Sequence, residues 1–409
     1  MKKSLFAVAA LTALAGTAQA QSSVSVYGIL DAGYIGANQK GTNTSISTNS
    51  QTSAIGQSAE STSRLGFKGN EDIGGGLSAF FTVEVGLTPT GGAVTTASTW
   101  NNRQSFVGLK KNGIGQFAIG TQYTPVFNAA SATSPGQLNN LVGDVIYATN
   151  VLTGPANTAT GTATAGTGPY GSNGAPNNGT GANNDSFTSR TNSTLSVKTD
   201  TFAGFSASAV MVMNNNNATQ TANTVGGQTN NNGWGLSADY TWQKLYVTAG
   251  YQALKNSTPG SLAAPAPNLW NGATGDVNVQ DNQAIAGATY DFGILKAYAQ
   301  WVSRKATDVK DTSYYAKRTA QQIGVRSYIT PTIEAFGSVG TGRVTGYGQS
   351  VPTANFTGYQ LGSNYYLSKR TNLYAIFGSS QTSSVSAVAG TSGSGASVNN
   401  YAVGVRHTF

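Results

Sequence analysis

The stretch Leu77-Ser-Ala-Phe-Phe-Thr-Val-Glu-Val-Gly-Leu87 divides cleanly into two faces. Leu77, Ala79, Phe81, Val83, Val85 and Leu87 are all apolar, while Ser78, Phe80, Thr82, Glu84 and Gly86 alternate with them. A period of two is that of a β-strand with one face away from water. The same alternation recurs from one end of the chain to the other. Val24, Val26, Gly28, Leu30 and Ala32 oppose Ser25, Tyr27, Ile29 and Asp31. Leu236, Ala238, Tyr240 and Trp242 oppose Ser237, Asp239 and Thr241. The chain closes on Tyr401, Val403, Val405, His407 and Phe409 against Ala402, Gly404, Arg406 and Thr408.

Alternation alone also fits a soluble β-sandwich, whose outer face is polar. The connections decide between the two. Short ones, near 70–75, 111–115, 199–204, 243–244, 291–293, 330–331 and 368–370, alternate with long ones at 38–57, 88–101, 124–187, 214–232, 255–281, 305–318, 344–355 and 381–400. Short turns at one end and long loops at the other mark an up-and-down barrel of the outer-membrane kind. The expected fold is therefore all-β: a transmembrane antiparallel β-barrel of about 16 strands. Closure pairs every backbone group within the sheet, which is the condition for crossing a bilayer with strands.

Composition agrees. Charged residues are 9%, against about 25% in soluble domains, while Gly numbers 52 and Tyr 19. The chain has no Cys, so disulfides and metal-thiolate sites are excluded. Lys2 and Lys3, the small apolar run Ser4 to Gly16, and Ala18-Gln-Ala20 read as a cleaved export signal, residues 1–20, followed by a barrel domain, residues 21–409. The net charge of +8 becomes +6 when the two leader lysines are subtracted. No basic run beyond residue 20 exceeds two residues, so nucleic acid is not an expected partner.

The connection 124–187 exceeds sixty residues and ends in a Gly/Ala/Thr/Asn-rich tract, Thr149 to Asp185. Loops beyond about 15 residues are functional or disordered. One reading makes the tract a floppy external insert; the other folds the loop into a lumen otherwise wide enough for an open aqueous channel.

Five stretches, in order, make the chain resemble the general porins of β-proteobacteria, the Burkholderia and Neisseria type. They are Gln21-Ser-Ser-Val-Ser-Val-Tyr-Gly28 with Asp31; Ser63-Arg-Leu-Gly-Phe-Lys-Gly69 leading into Glu71-Asp-Ile-Gly-Gly-Gly-Leu77; Arg103-Gln-Ser-Phe-Val-Gly-Leu109; Leu367-Ser-Lys-Arg-Thr-Asn-Leu-Tyr374; and Gly404-Val-Arg-His-Thr-Phe409. The resemblance spans nearly the whole chain. It implies sixteen-stranded barrels assembled as homotrimers, a third outer loop folded inside each as a constriction, and a terminal Phe409 read by the barrel assembly machinery. It also implies wall arginines facing acidic groups on that loop, a transverse field that orients dipolar solutes.

On this basis Arg64 and Arg190 are the first candidates for the constriction. Lys68 shares the polar parity of Arg64, opposite Leu65 and Phe67; Lys198 shares that of Arg190, opposite Leu195 and Val197. Arg103 sits in a matching motif, yet its parity with Val107 and Leu109 points it outward, toward the membrane edge. Asp144 is the candidate loop carboxylate, since only it and Asp185 are acidic between Tyr123 and Phe187; Glu84 is the candidate wall carboxylate. Thr121 stands where relatives commonly carry Arg, which weakens the basic cluster. The expected activity is passive diffusion of small hydrophilic solutes and ions across the cell outer membrane, with a weak anion preference. A substrate-preferring channel, or a non-conducting adhesin or enzyme barrel, stays open. His407, the one His, lies on an apolar parity, and no catalytic, metal or cofactor set emerges. Outer-membrane lipids and lipopolysaccharide are the expected surroundings.

Overall fold

The computed structural model describes residues 23–43, 47–91, 101–147, 187–217, 228–258, 277–309, 312–313, 315–347, 354–383 and 394–409. The expected leader, 1–20, and the tract 149–185 lie outside them. The strands follow in order: β1 (Ser23–Asn43), β2 (Ser47–Gln57), β3 (Arg64–Gly74), β4 (Leu77–Gly86), β5 (Asn101–Lys111) and β6 (Gly115–Tyr123). A short helix, α1 (Pro125–Thr133), precedes β7 (Arg190–Thr199), β8 (Phe205–Asn217), β9 (Gln228–Trp242), β10 (Leu245–Thr258), β11 (Val277–Asp291) and β12 (Lys296–Asp308). The chain ends with β13 (Tyr315–Thr330), β14 (Ile333–Tyr347), β15 (Ala354–Tyr366), β16 (Thr371–Thr382) and β17 (Ser394–Thr408).

Neighbouring strands pair antiparallel, and β1 pairs with β17 from Ile29↔Thr408 to Asn43↔Ser394, so the sheet closes on itself. The seventeen segments make sixteen strands. Both β2 and β3 lie antiparallel to β1, at Ala32↔Gln57 and upward and at Ile29↔Arg64 and downward, so they are two halves of one strand. The break between them, 58–63, turns inward onto Asp31. The Asp31 carboxylate accepts from the backbone N–H of Glu60 at 2.9 Å and Ser61 at 2.6 Å, and from the Tyr374 hydroxyl at 2.7 Å. Those donors offset the cost of burying an acidic group with no exposure to water.

All seven expected short turns are present at one end of the barrel. One of the three two-residue turns runs through Gly74, Gly75 and Gly76, with φ of +96°, +59° and +75°, a conformation that side chains with a Cβ resist. The long connections are shorter than the sequence reading. Asn38–Gln57 was expected as a loop, but the β1–β2 ladder continues to Thr42↔Ser47. The β8–β9 ladder likewise reaches Asn217↔Gln228. Polar Ser, Thr and Asn at the water-exposed end show no hydrophobic period, yet their backbones keep pairing.

The start of the long connection, 124–147, packs on the wall face opposite the exposed apolar residues. Thr124 caps α1, its Oγ1 accepting from Phe127 N at 3.2 Å, with Pro125 in the first turn. Val126 and Ala130 of α1 bury against Ile285 of β11 and Val302 of β12. The wall meets the loop with glutamines, one per strand. Gln300 donates to Ala130 O at 3.0 Å, Gln322 accepts from Val145 N at 2.9 Å, and Gln360 donates to Leu141 O at 2.9 Å and Val142 O at 3.0 Å. A neutral amide both donates and accepts, so it satisfies loop backbone without burying charge.

Wall glycines let the loop approach closely. A Cβ at Gly340 would strike Val145, one at Gly358 would strike the Gly143 carbonyl, and one at Gly378 would strike the Val142 carbonyl. Gly378→Val is therefore expected to cost about 1–3 kcal/mol by overpacking. Urea unfolding of the refolded barrel checks this; an unchanged midpoint would mean that the loop does not seat on β16.

Candidate functional site

Glu84, on the polar face of β4, is the centre of a charged cluster on the inner wall. It is 3% exposed. Its Oε1 accepts from Arg103 Nε at 2.8 Å and lies 3.9 Å from Arg64 Nη1; its Oε2 accepts from the Tyr27 hydroxyl at 3.1 Å. Arg103 Nη2 donates onward to the Tyr123 hydroxyl at 2.9 Å. Arg190 pairs across the ladder with Tyr123, and its guanidinium carbon sits 5.5 Å from that ring's centroid. Its Nη1 donates to Arg103 O at 3.4 Å. Among the described residues nothing accepts from Arg190 Nε. Two guanidiniums, Arg103 and Arg64, thus hold the one carboxylate, and a third, Arg190, lies behind Tyr123 and the Arg103 backbone, so the cluster carries an excess of two positive charges.

Aromatic rings back this cluster on the loop side. Tyr123 stacks on Phe127 of α1 with centroids 4.2 Å apart, and Phe187 and Tyr147 pack edge-on or tilted around them. The rings fix the approach of the loop to the wall next to the arginines.

Four of the residues singled out in the sequence meet here: Arg64, Arg103, Arg190 and Glu84. The parity argument for Arg103 fails for a local reason. In the β4–β5 ladder Glu84 pairs with Gln104 and Val85 with Asn102, so Arg103 is the extra residue of a bulge. A bulge resets alternation and re-aims a side chain, and Arg103 turns inward onto Glu84. A second register shift, between Gly120↔Thr194 and Gln122↔Thr191, separates Arg190 from Lys198. Shared parity therefore does not join that pair. Lys198 is exposed near the short-turn end. Lys68 is also exposed, 5.6 Å from the centre of the Tyr27 ring, and it does not touch Glu84.

Asp144 does not face the arginines as expected of the loop carboxylate. It is 2% exposed, and its Oδ1 accepts from Ile146 N at 2.8 Å and Tyr147 N at 2.9 Å, closing a turn within the loop. Burial pushes this carboxyl above the ordinary carboxylate range, with the two backbone donors working against that rise. Ser134 Oγ donates to its Oδ2 at 3.3 Å. Thr121 is buried within 3.5 Å of Asn102 Nδ2 and adds no charge. At the chain end, Phe409 exchanges two backbone hydrogen bonds with Gly28, both 3.1 Å, and its ring lies where a Gly28 Cβ would be.

Several inner-wall charges were not singled out in the sequence. Arg304 forks onto Asp281, Nη2 donating at 2.6 Å, and Arg326 forks onto Glu334 at 2.6 and 2.7 Å. Arg326 also donates to Pro135 O at 2.7 Å, and Arg318 donates to Val145 O. The spacing Arg318, Gln322, Arg326 on one parity of β13 was the available signal. Arg318 and Arg326 hold the loop to the far wall, while Arg304 and Asp281 pair within the wall itself.

Comparison with known proteins gives one consistent result. The family model described as Gram-negative porin matches residues 7–385. The outer membrane porin protein 32 of Delftia acidovorans is 28% identical over 420 residues, covering 100% of both chains. The major outer membrane protein P.IB of Neisseria gonorrhoeae is 34% identical over 150 residues, 36% of this chain and 39% of that one. Among solved structures, the anion-selective porin from Comamonas acidovorans superposes with a TM-score of 0.65 at 22% identity, over 95% of this chain and 100% of that one.

The cluster's internal bonding makes a stability prediction. Arg103→Ala leaves Glu84 without its closest cation and is expected to cost roughly 3 kcal/mol, as for a broken buried pair. Lys68→Ala, on an exposed side chain, should change stability by less than about 0.5 kcal/mol. Parallel urea titrations distinguish them, and equal losses would show that the Arg103–Glu84 pair does not stabilise the barrel.

Proposed function

The chain belongs to the Gram-negative porin family, and from that premise we propose that Arg64, Arg103 and Arg190, with Glu84 between them, form the narrowest and most selective part of its channel. The protein is a passive diffusion channel of the outer membrane; family and fold are those of a channel rather than an enzyme. Loop residues 124–147, lying on the wall beside the cluster, narrow a lumen that sixteen strands would leave wide. The observation that carries this reading is the ratio of three guanidiniums to one carboxylate.

An anion arriving at the cluster exchanges part of its hydration for N–H donors held in fixed positions. The field is strong enough to attract it and, with Glu84 neutralising one cation, weak enough to let it leave. Asp144, turned into the loop, does not oppose the field, and Thr121 does not add to it. The result is a weak anion preference. That the Comamonas neighbour is anion-selective by name agrees with this. We further read the assembly as a homotrimer in a lipopolysaccharide-containing membrane, with Phe409 as the residue that the barrel assembly machinery reads.

Single-channel recording in a planar bilayer under a salt gradient tests the reading. Wild type should open in groups of three equal ohmic steps with a reversal potential on the anion side. Arg64→Glu with Arg190→Glu should move that potential to the cation side, and Glu84→Gln should move it further toward anions. Asp144→Asn should leave it unchanged. An unmoved potential in the double variant would remove the arginines from the constriction, and single steps would speak against the trimer.

A further inference from the structure

The outer wall of β10 to β15 carries a feature that conduction does not use. Reading along the register, Val247, Ala288, Ala299, Ile323, Val339 and Tyr359 lie in one apolar row. Two residues further up each strand come Ala249, Ala286, Trp301, Gln321, Thr341 and Thr357, already mixed. The next row contains Ser303, Thr319, Arg343 and Asn355; above it lie Asn282, Lys305 and Lys317, and then Lys255 with Gln280. The wall passes from apolar to polar within a few rows. All four charges it acquires, Lys255, Lys305, Lys317 and Arg343, are basic and exposed.

The height of this transition matters. Thr319 is eleven residues from the short turn at Thr330. At about 3.4 Å per residue and a tilt of about 40°, it stands roughly 29 Å above that turn, just beyond an apolar band of about 25 Å. Short turns are periplasmic in this architecture, so the basic rows sit at the headgroup level of the outer leaflet.

The surface there is also shaped. Because Ala249, Ala286, Ala288 and Ala299 leave the strand backbone bare beside Trp301 and Ile323, a shallow groove of about 850 Å³ lies along the apolar rows. It shares Trp301, Gln321 and Thr341 with a polar recess of about 250 Å³ that reaches Arg343 and Asn355. Lys305 and Lys317 are direct cross-strand partners. Like charges placed so oppose each other unless an anion lies between them. Lys305 rests over the Tyr315 ring, 4.6 Å from its centroid, and no carboxylate among the described residues pairs with Lys317 or Arg343. The nearby acids Asp281 and Asp308 are buried on the opposite, inner parity.

We propose that this face binds a phosphate-bearing glycolipid of the outer leaflet, with one acyl chain in the alanine-floored groove and a phosphate held by Arg343, Lys317 and Lys305. An apolar groove that runs continuously into a polar recess bearing Arg343, with Lys317 and Lys305 in the row above it, matches the two halves of such a lipid, one below and one at the headgroup level. A second protein copy would need to bring its own acidic patch to the same rows.

The full-length barrel in detergent is titrated with lipid A and with lipid A stripped of its phosphates, and bound lipid is counted by native mass spectrometry. The phosphorylated form should bind at least tenfold more tightly, a comparison that needs no variant. K305Q/K317Q/R343Q should reduce its affinity to that of the stripped lipid. Ala288→Trp, which fills the groove, should weaken both lipids, and Lys244→Gln, at the opposite rim, should weaken neither. Equal affinity for the two lipids, or an unaltered affinity in the triple variant, overturns the proposal. A disulfide between subunits formed through Gln321→Cys overturns it too, by giving the face to a second copy. Channel conductance reads the lumen and should be the same in all these variants, so failure here and failure of the constriction are separable.

Discussion

In a bilayer no water reaches the hydrocarbon, so each backbone N–H and C=O must find its partner inside the protein. For this chain that condition is met by one contact, the ladder between β1 and β17 that joins the two ends of the sheet. Phe409 extends it, pairing with Gly28 where β17 runs out. Closure over sixteen strands has a geometric consequence, a lumen too wide to be filled by wall side chains. The loop after β6 lies inside that consequence. Its backbone leaves the sheet and needs partners of its own, which the wall supplies as Gln300, Gln322 and Gln360, with Gly340, Gly358 and Gly378 making room. The requirement that closes the barrel therefore also dictates which residues face the loop.

The functional cluster depends on places where the regular ladder is broken. Arg103 reaches Glu84 because a bulge gives β5 one extra residue opposite it. Arg190 lies beyond a second shift, between β6 and β7. A third interruption, 58–63, divides β2 from β3 and ends at Ser63, immediately before Arg64. Asp31 fixes that interruption from β1 through two backbone amides. Each arginine of the cluster is thus next to a local departure from the β-ladder. In a regular strand, alternate residues at fixed spacing would spread three long cations along the wall instead of gathering them in one cluster.

This explains which parts were legible in the sequence. The strands show a period of two and five of the seven short turns carry a glycine or proline, so class, strand number and the alternation of short and long connections could be read directly. The upper ends of the strands could not, because Ser, Thr and Asn in water pair their backbones without showing a hydrophobic face. Arg64 and Glu84 were placed correctly on the polar parity. Arg103 was read outward because parity assumes unbroken register, and a bulge leaves no mark in a single sequence. Asp144 misled for a different reason. Scarcity of acids in the loop made it the only candidate near the cluster, whereas an Asp two and three residues before backbone donors is also a turn former, and the turn claimed it.

The distribution of cations shows how two solvents act on one wall. Among the described residues every buried cation is an arginine: Arg103, Arg190, Arg304, Arg318 and Arg326. The lysines remain exposed or half-buried, at the strand ends, at Lys68 and on the outer rows. A guanidinium stays charged and presents a planar fork, so Arg304 and Arg326 can each satisfy a carboxylate with two bonds while losing most of their water. An ammonium is a compact, strongly hydrated charge and is retained where hydration continues. The inner wall must hold charge in a confined space and uses the fork. At the rim and at the outer headgroup level water persists, and the point charge suffices. Arg343 is the exception in kind, an exposed arginine among outer lysines, and of the four cations on the outer rows of β10 to β15 it is the one that lines the polar recess, where a fork that can grip a tetrahedral anion has something to grip against.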